Sequence, residues 1–178
     1  MKNGSRYEGE FKNSVKHGVG TERFENSETY VGSYEKNRPN GQGEYYWANG
    51  DYYKGTFSNG LRHGEGYFRE AKTNIEYQGE YRNDKKCGYG QISYQDGLVY
   101  VGNFENGLRH GYGELTQDGK GIYKGYWIND QQVQENKESP PQPQPKKKKV
   151  SNFRTILEEP EPRALPKVIN QPKHAVKR

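Results

Sequence analysis

Cysteine, methionine and long apolar runs are almost missing from this chain: among 178 residues there is one Cys, one Met and two Trp. A lone cysteine, Cys87, excludes an internal disulfide framework and fits a reducing compartment. Only 29% of the residues are hydrophobic and the mean hydropathy is −1.35, which excludes a thick interior of Leu, Val and Ile. No apolar run approaches the roughly 18 to 20 residues that cross a bilayer as a helix. Residues 1–10, MKNGSRYEGE, lack the apolar stretch of a secretory signal. The expected location is therefore the cytoplasm. Proline is also scarce through residue 132, where Pro39 stands alone. What is abundant instead is tyrosine, 16 copies, and glycine, 23 copies. Large rings and bare backbone suit a thin β structure with an aromatic face.

The net charge of +5 is unevenly placed. Residues 133–178 carry 11 Lys and Arg against 5 Asp and Glu, whereas residues 1–132 carry 17 against 18. A near-neutral body thus precedes a basic tail, and attraction to anionic partners is expected mainly from the tail.

The body repeats. Tyr-x-Gly-x-aromatic begins at Tyr7, Tyr30, Tyr53, Tyr77, Tyr100 and Tyr123, at intervals of 23, 23, 24, 23 and 23 residues. Eleven residues after the Tyr, each of the five complete units has Gly-x-Gly, from Gly18 and Gly20 to Gly111 and Gly113. In a strand of period two, Tyr7, Gly9 and Phe11 share a face, and glycines beside the rings leave room for them to lie across the neighbouring backbone. Five of six units place Asn six residues after the Tyr, twice as Asn-Gly, which favours a tight hairpin. A second reversal is signalled by Asn49-Gly50, Asp96-Gly97 and Asp118-Gly119. The spacing predicts an all-β fold: an elongated, single-layer, twisted antiparallel sheet of about eleven short strands, made of about 5.5 tandem β-hairpins over residues 1–132. Unpaired backbone at its two edges makes edge-to-edge association, including a homodimer, an expected mode of assembly.

This unit, with its HGxG segment and Asn-Gly or Asp-Gly turns, resembles the MORN (membrane occupation and recognition nexus) repeat over Tyr7 to Gln132. The chain departs from that pattern in having Tyr or Phe where many copies have Trp; only Trp127 matches. The resemblance implies a twisted single sheet. Arrays of this kind occur in junctophilins at membrane contacts, in accessory regions of lipid kinases and a methyltransferase, in radial spoke heads of cilia and in apicomplexan cytoskeletal scaffolds. Small stand-alone members serve as ciliary or cytoskeletal adaptors, some holding a partner's peptide or helix along an aromatic groove. The resemblance therefore implies protein partners in an axonemal or other cytoskeletal assembly.

The residues with reactive side chains do not converge. His17, His63 and His110 occupy one repeat slot, held by Asn40 and Cys87 in the other complete units. Successive repeats advance by two strands, roughly 10 Å, so these histidines cannot share a metal ion, whose ligands lie within about 2.3 Å of it. Lys85 and Lys86 flank Cys87 and would favour its thiolate, but no recurrent base or acid completes a nucleophilic pair. No Lys-Ser/Thr follows the Gly-x-Gly to make a phosphate loop. No catalytic residue, metal or cofactor is expected, nor a nucleic-acid partner. One candidate site recurs, the aromatic file Tyr7, Phe11, Tyr30, Tyr34, Tyr53, Phe57, Tyr77, Tyr81, Tyr100, Phe104, Tyr123 and Trp127. It serves packing alone, or packing together with partner binding on a sheet face that no second layer covers.

Residues 133–178 hold eight of the nine prolines and read as a disordered Pro/Lys-rich tail. PPQPQP favours polyproline II. Lys146, Lys147, Lys148 and Lys149 form a nuclear import signal, a basic contact for an acidic protein surface or for anionic lipid such as a phosphoinositide, or else a solvated run. Near residues 151–159, Phe153, Ile156 and Leu157 fall on one face of a short docking helix that would order on a partner.

Overall fold

A computed structural model describes residues 4–134, all within one unit. The tail expectations, including Lys146 to Lys149 and the segment near 151–159, lie outside the described residues. Twelve strands follow one another in a single antiparallel meander whose spatial order is the chain order. They are β1 (Arg6–Lys12), β2 (Val15–Arg23), β3 (Thr29–Glu35), β4 (Arg38–Tyr46), β5 (Tyr52–Ser58), β6 (Leu61–Arg69), β7 (Glu76–Arg82), β8 (Lys85–Ser93), β9 (Leu98–Glu105), β10 (Leu108–Gln117), β11 (Lys120–Ile128) and β12 (Gln131–Gln132). The count exceeds the expected eleven because the last half repeat turns back in the two residues of β12.

Every hairpin turn has positive φ at both central residues, the mark of a type I′ turn, whose twist matches that of the strands it joins. Asn59-Gly60 and Asn106-Gly107 do so at 51° and 88°, and 53° and 92°; Asn83-Asp84 and Asn129-Asp130 at 50° and 66°, and 48° and 68°. Lys36-Asn37 has the same shape at 49° and 69° without Asn in the first place. The returns between hairpins vary more. The β6–β7 return, Glu70 to Ile75, carries the extra residue behind the interval of 24, and its left-handed position falls on Asn74 at 52°.

The two glycines of Gly-x-Gly have different jobs. The first, such as Gly18 or Gly64, has φ of +63° or +73°, beside the point where the β1–β2 and β5–β6 registers shift. It supplies the left-handed bulge. The second belongs to a line of glycines that pair across β1 to β11: Gly9, Gly20, Gly32, Gly43, Gly55, Gly66, Gly79, Gly90, Gly102, Gly113 and Gly125. On this line lie the repeat tyrosines. A Cβ at Gly66 would stand 2.4 Å from the Tyr53 hydroxyl, and one at Gly113 2.4 Å from Tyr100. A further complete repeat would need glycine at 134 and 136, where the sequence has Gln134 and Asn136.

Each flattened ring is fixed at its tip. The hydroxyls of Tyr7, Tyr30, Tyr53, Tyr77, Tyr100 and Tyr123 donate to the carbonyl three residues on, at 2.8 to 3.1 Å. At its sides every internal ring meets two others edge-to-face. Tyr30 packs against Tyr34 of its own repeat and Phe57 of the next, and Tyr53, Tyr77 and Tyr100 repeat the arrangement with Phe57 and Tyr81, Tyr81 and Phe104, Phe104 and Trp127. Centroids lie 5.1 to 5.3 Å apart, each contact contributing on the order of 1 kcal/mol beyond area burial. The core is thus a one-dimensional ladder lying along the sheet.

Neighbouring hairpins are also tied at their turns. The second turn residue of one repeat donates its N–H to a carbonyl near the start of the preceding return strand: Asn37 to Lys16, Gly60 to Pro39, Asp84 to Arg62, Gly107 to Lys86 and Asp130 to Arg109, at 2.8 to 3.0 Å. At alternate junctions the side chain of the second turn residue closes the link. Asn37, Asp84 and Asp130 accept through Oδ1 from the N–H of Lys16, Arg62 and Arg109, and both aspartates also accept from the arginine Nε, at 3.0 and 2.8 Å. Replacing Asp84 by Ala is expected to cost about 1 to 2 kcal/mol, since the pair is partly open to solvent. Asp84→Asn, which keeps the main-chain bond as Asn37 does, should lose clearly less. Urea unfolding of both variants at low and high salt checks this; identical losses would show that the acceptor atom does not matter.

Candidate functional site

The structure separates the twelve rings of the aromatic file. Nine of them, Tyr30, Tyr34, Tyr53, Phe57, Tyr77, Tyr81, Tyr100, Phe104 and Trp127, are at most 5% exposed. They are consumed by packing on one another, so these rings do not themselves form an open groove. Tyr7 and Tyr123, in the end repeats, are half-buried. Phe11 is 61% exposed because no ring of a preceding repeat lies against it. Burial pushes the hydroxyl pKa of the enclosed tyrosines well up.

Side chains further along the return strands, on the same face, remain accessible. Phe24 stacks on Tyr45 at 6.0 Å, Tyr45 meets Trp47 at 4.6 Å, and Trp47 meets Phe68 at 5.8 Å. All four are half-buried, as are Ile75, Tyr94 and Leu98 further along, and all pack on the ladder. They make a strip along the margin where the hairpins are joined to one another. No fixed motif announces it, because the slots vary: one reads Glu22, Tyr45, Phe68, Ile92, Leu115, the next Phe24, Trp47, Glu70, Tyr94, Gln117. In the first slot Glu22 is buried and held by Lys16 and by the Tyr34 hydroxyl, which donates to it at 2.9 Å.

Beside the strip runs a file of cations at the start of the return strands. Lys16 lies over Tyr7 and Tyr34, Lys86 over Tyr77 at 4.8 Å, and Arg109 over Trp127 at 4.3 Å. Arg62 is within 6 Å of four ring centres, those of Trp47, Tyr53, Phe68 and Tyr81. Aromatic surface bordered by long cations is suited to grip a protein segment through apolar contact and charge together.

The reactive slot behaves as a turn position. His110 faces Glu105 at 3.5 Å and Asn129 at 3.4 Å, while the Nδ1 of His63 is buried without a hydrogen-bond partner. At Cys87 burial pushes the thiol pKa up; Arg82 pulls the other way and Glu80 adds to the rise. Its neighbouring lysines therefore do not produce a reactive thiolate. Among the described residues no group of three or more His, Cys, Asp and Glu is placed to hold a metal ion, and no helix is long and apolar enough to cross a membrane.

A glycine line, a ring lying on it and a type I′ turn, repeated at 23 residues, define a one-layer solenoid of β-hairpins. The model of the MORN repeat family matches residues 7–29, 30–52, 53–69, 77–99 and 100–121, and the chain belongs to that family. The third match stops before the long β6–β7 return. No curated protein matches the chain.

Proposed function

We propose that this protein is a non-enzymatic adaptor that binds partner proteins on the accessible strip from Phe24 to Leu98. The carrying observation is the run of Phe24, Tyr45, Trp47 and Phe68, four half-buried rings in mutual contact on a sheet face. Packing needs the ladder beneath; it does not need these rings half open. The histidine and cysteine slot recurs once per repeat, roughly 10 Å apart, which separates reactive groups where catalysis would gather them. A ciliary axoneme or similar cytoskeletal assembly is the setting we favour, because small stand-alone arrays of this family act there.

Affinity capture from ciliated-cell extract should recover defined protein partners with the full chain. Trp47→Ala combined with Phe68→Ala should reduce their recovery by about tenfold or more, as loss of two interface aromatics generally does. Val31→Ser, on the opposite face, should leave recovery intact, and thermal melts of all three proteins report that they remain folded. Equal recovery by the double variant would place partner binding elsewhere.

A further inference from the structure

Of the five junctions between hairpins, one is left incomplete by its own chemistry. At three of them, an N–H at the start of the return strand, from Lys16, Arg62 or Arg109, is met by Oδ1 of Asn37, Asp84 or Asp130 from the next turn. At a fourth the turn residue is Gly60, which has no acceptor, but the residue it faces is Pro39, which has no N–H to satisfy. At the fifth, Gly107 likewise offers no acceptor, yet it faces Lys86, which has an N–H. Lys86 pairs with Tyr81 as Lys16 pairs with Phe11 and Arg62 with Phe57, so its N–H is turned the same way, towards the β9–β10 turn.

The side chain is in the same position. Lys16, Arg62 and Arg109 each have a carboxylate within ion-pair distance; Lys86 has none among the described residues. Its ammonium lies over the Tyr77 ring, half-buried, with Glu70 and Asp130 acting only from further away. Burial, followed by the charge of Arg62, lowers its pKa, as expected of a cation short of a counter-charge. There is room for one: a Cβ added at Gly107 would have nothing within 4 Å.

We propose that Lys86 and the Gly107 turn form a socket for a carboxylate, filled by an aspartate or glutamate side chain of a protein partner. It would accept from the Lys86 N–H and ammonium as Asp84 accepts from the Arg62 N–H and Nε. The apolar strip beside it, at Phe68, Ile75, Tyr94 and Leu98, sets the rest of the partner's chemistry: an acidic residue flanked by apolar ones. The socket rests on the adaptor reading and names one contact within it.

The test is an amide NMR titration of the ¹⁵N-labelled full chain with a blocked heptapeptide bearing one aspartate between leucines. Its asparagine twin, inorganic phosphate and phosphatidylserine vesicles are titrated in parallel. The Lys86 amide should move with the aspartate peptide, and the twin should bind about tenfold more weakly or less. Gly107→Asp fills the socket from within and should abolish the Lys86 response. Asp84 and Asp130 hold that turn position at φ of 66° and 68°, so the backbone admits the change. Gly107→Ala strains the turn similarly without a carboxylate and should keep the response. Equal binding of the twin, a response that survives Gly107→Asp, or a Lys86 shift produced by phosphate or vesicles but not by the peptide would each overturn the socket. A peptide that shifts Trp47 and Tyr45 while Lys86 stays still would overturn the socket and leave the adaptor reading standing. Failed partner capture alongside an intact Lys86 response would sink the adaptor reading alone.

Discussion

Raising the pH above about 10 is expected to unfold the array, with tyrosinate absorbance and loss of β-sheet circular dichroism rising together. Tyr30, Tyr53, Tyr77 and Tyr100 are fully enclosed, and each hydroxyl donates to a main-chain carbonyl. An ionised ring would be a buried anion facing that carbonyl. Burial raises all four pKa values above the ordinary 10.0. An unfolded chain therefore releases these protons near pH 10 while the folded chain still holds them. Stability is fully present below that pH and falls as pH climbs from the unfolded value towards the folded ones, by about 1.4 kcal/mol per pH unit for each ring. Four rings give a slope of roughly 5 to 6 kcal/mol per unit, against a usual total of about 5 to 15 kcal/mol. A gradual titration with the sheet intact at about pH 12 would contradict the burial of the rings.

Gly66→Ala should be strongly damaging, as should the equivalent change at Gly43 or Gly113. The added carbon would lie 2.4 Å from the Tyr53 hydroxyl, 2.5 to 2.6 Å from two ring carbons. Phe57 and Tyr81 stand against that ring edge-to-face, so it has nowhere to retreat. The expected loss is about 3 kcal/mol or more, at the upper end for overpacking. Gly121→Ala in β11 is the internal control: nothing lies within 4 Å of its added Cβ and its φ is not left-handed, so it should change stability by less than about 0.5 kcal/mol. Because each repeat touches only its neighbours, the damage should be local. In urea the fluorescence of Trp47, one repeat away, should report the loss more strongly than that of Trp127. Equal shifts at the two probes would mean that the array melts as one body.

The sequence carried the period, the hairpins and the ring-over-glycine contact, because each depends on residues at fixed short spacing. Tyr53, Gly55 and Gly66 can be read as a unit without coordinates. It did not reveal that the recurring rings cover one another. A one-layer sheet suggested an open groove along Tyr30, Tyr34 and their equivalents; instead the rings lie down and meet edge to edge, and the accessible surface moves to Tyr45, Trp47 and Phe68. Those positions change chemical type from repeat to repeat, so periodicity could not mark them. The Gly-x-Gly pair also hid a division of labour, since Gly64 is needed for its left-handed φ and Gly66 for space. The Arg62–Asp84 link joins residues in separate hairpins and recurs only at alternate junctions, beyond the reach of a 23-residue period.

That alternation makes the pair of hairpins, rather than the single hairpin, the natural module of inheritance and of engineering. The segment NGLRHG occurs at 59–64 and again at 106–111, and Asn-Asp at 83–84 and again at 129–130. Excising residues 63–109 would join Arg62 to His110 and present Asp130 to Arg62, shortening the solenoid by about 19 Å with every remaining link matched. Excising one hairpin, residues 63–86, would instead bring Arg62 opposite Gly107 and break the pairing. Cut after Arg62, the array thus keeps that link only in a step of four strands, like a ruler graduated at every second mark.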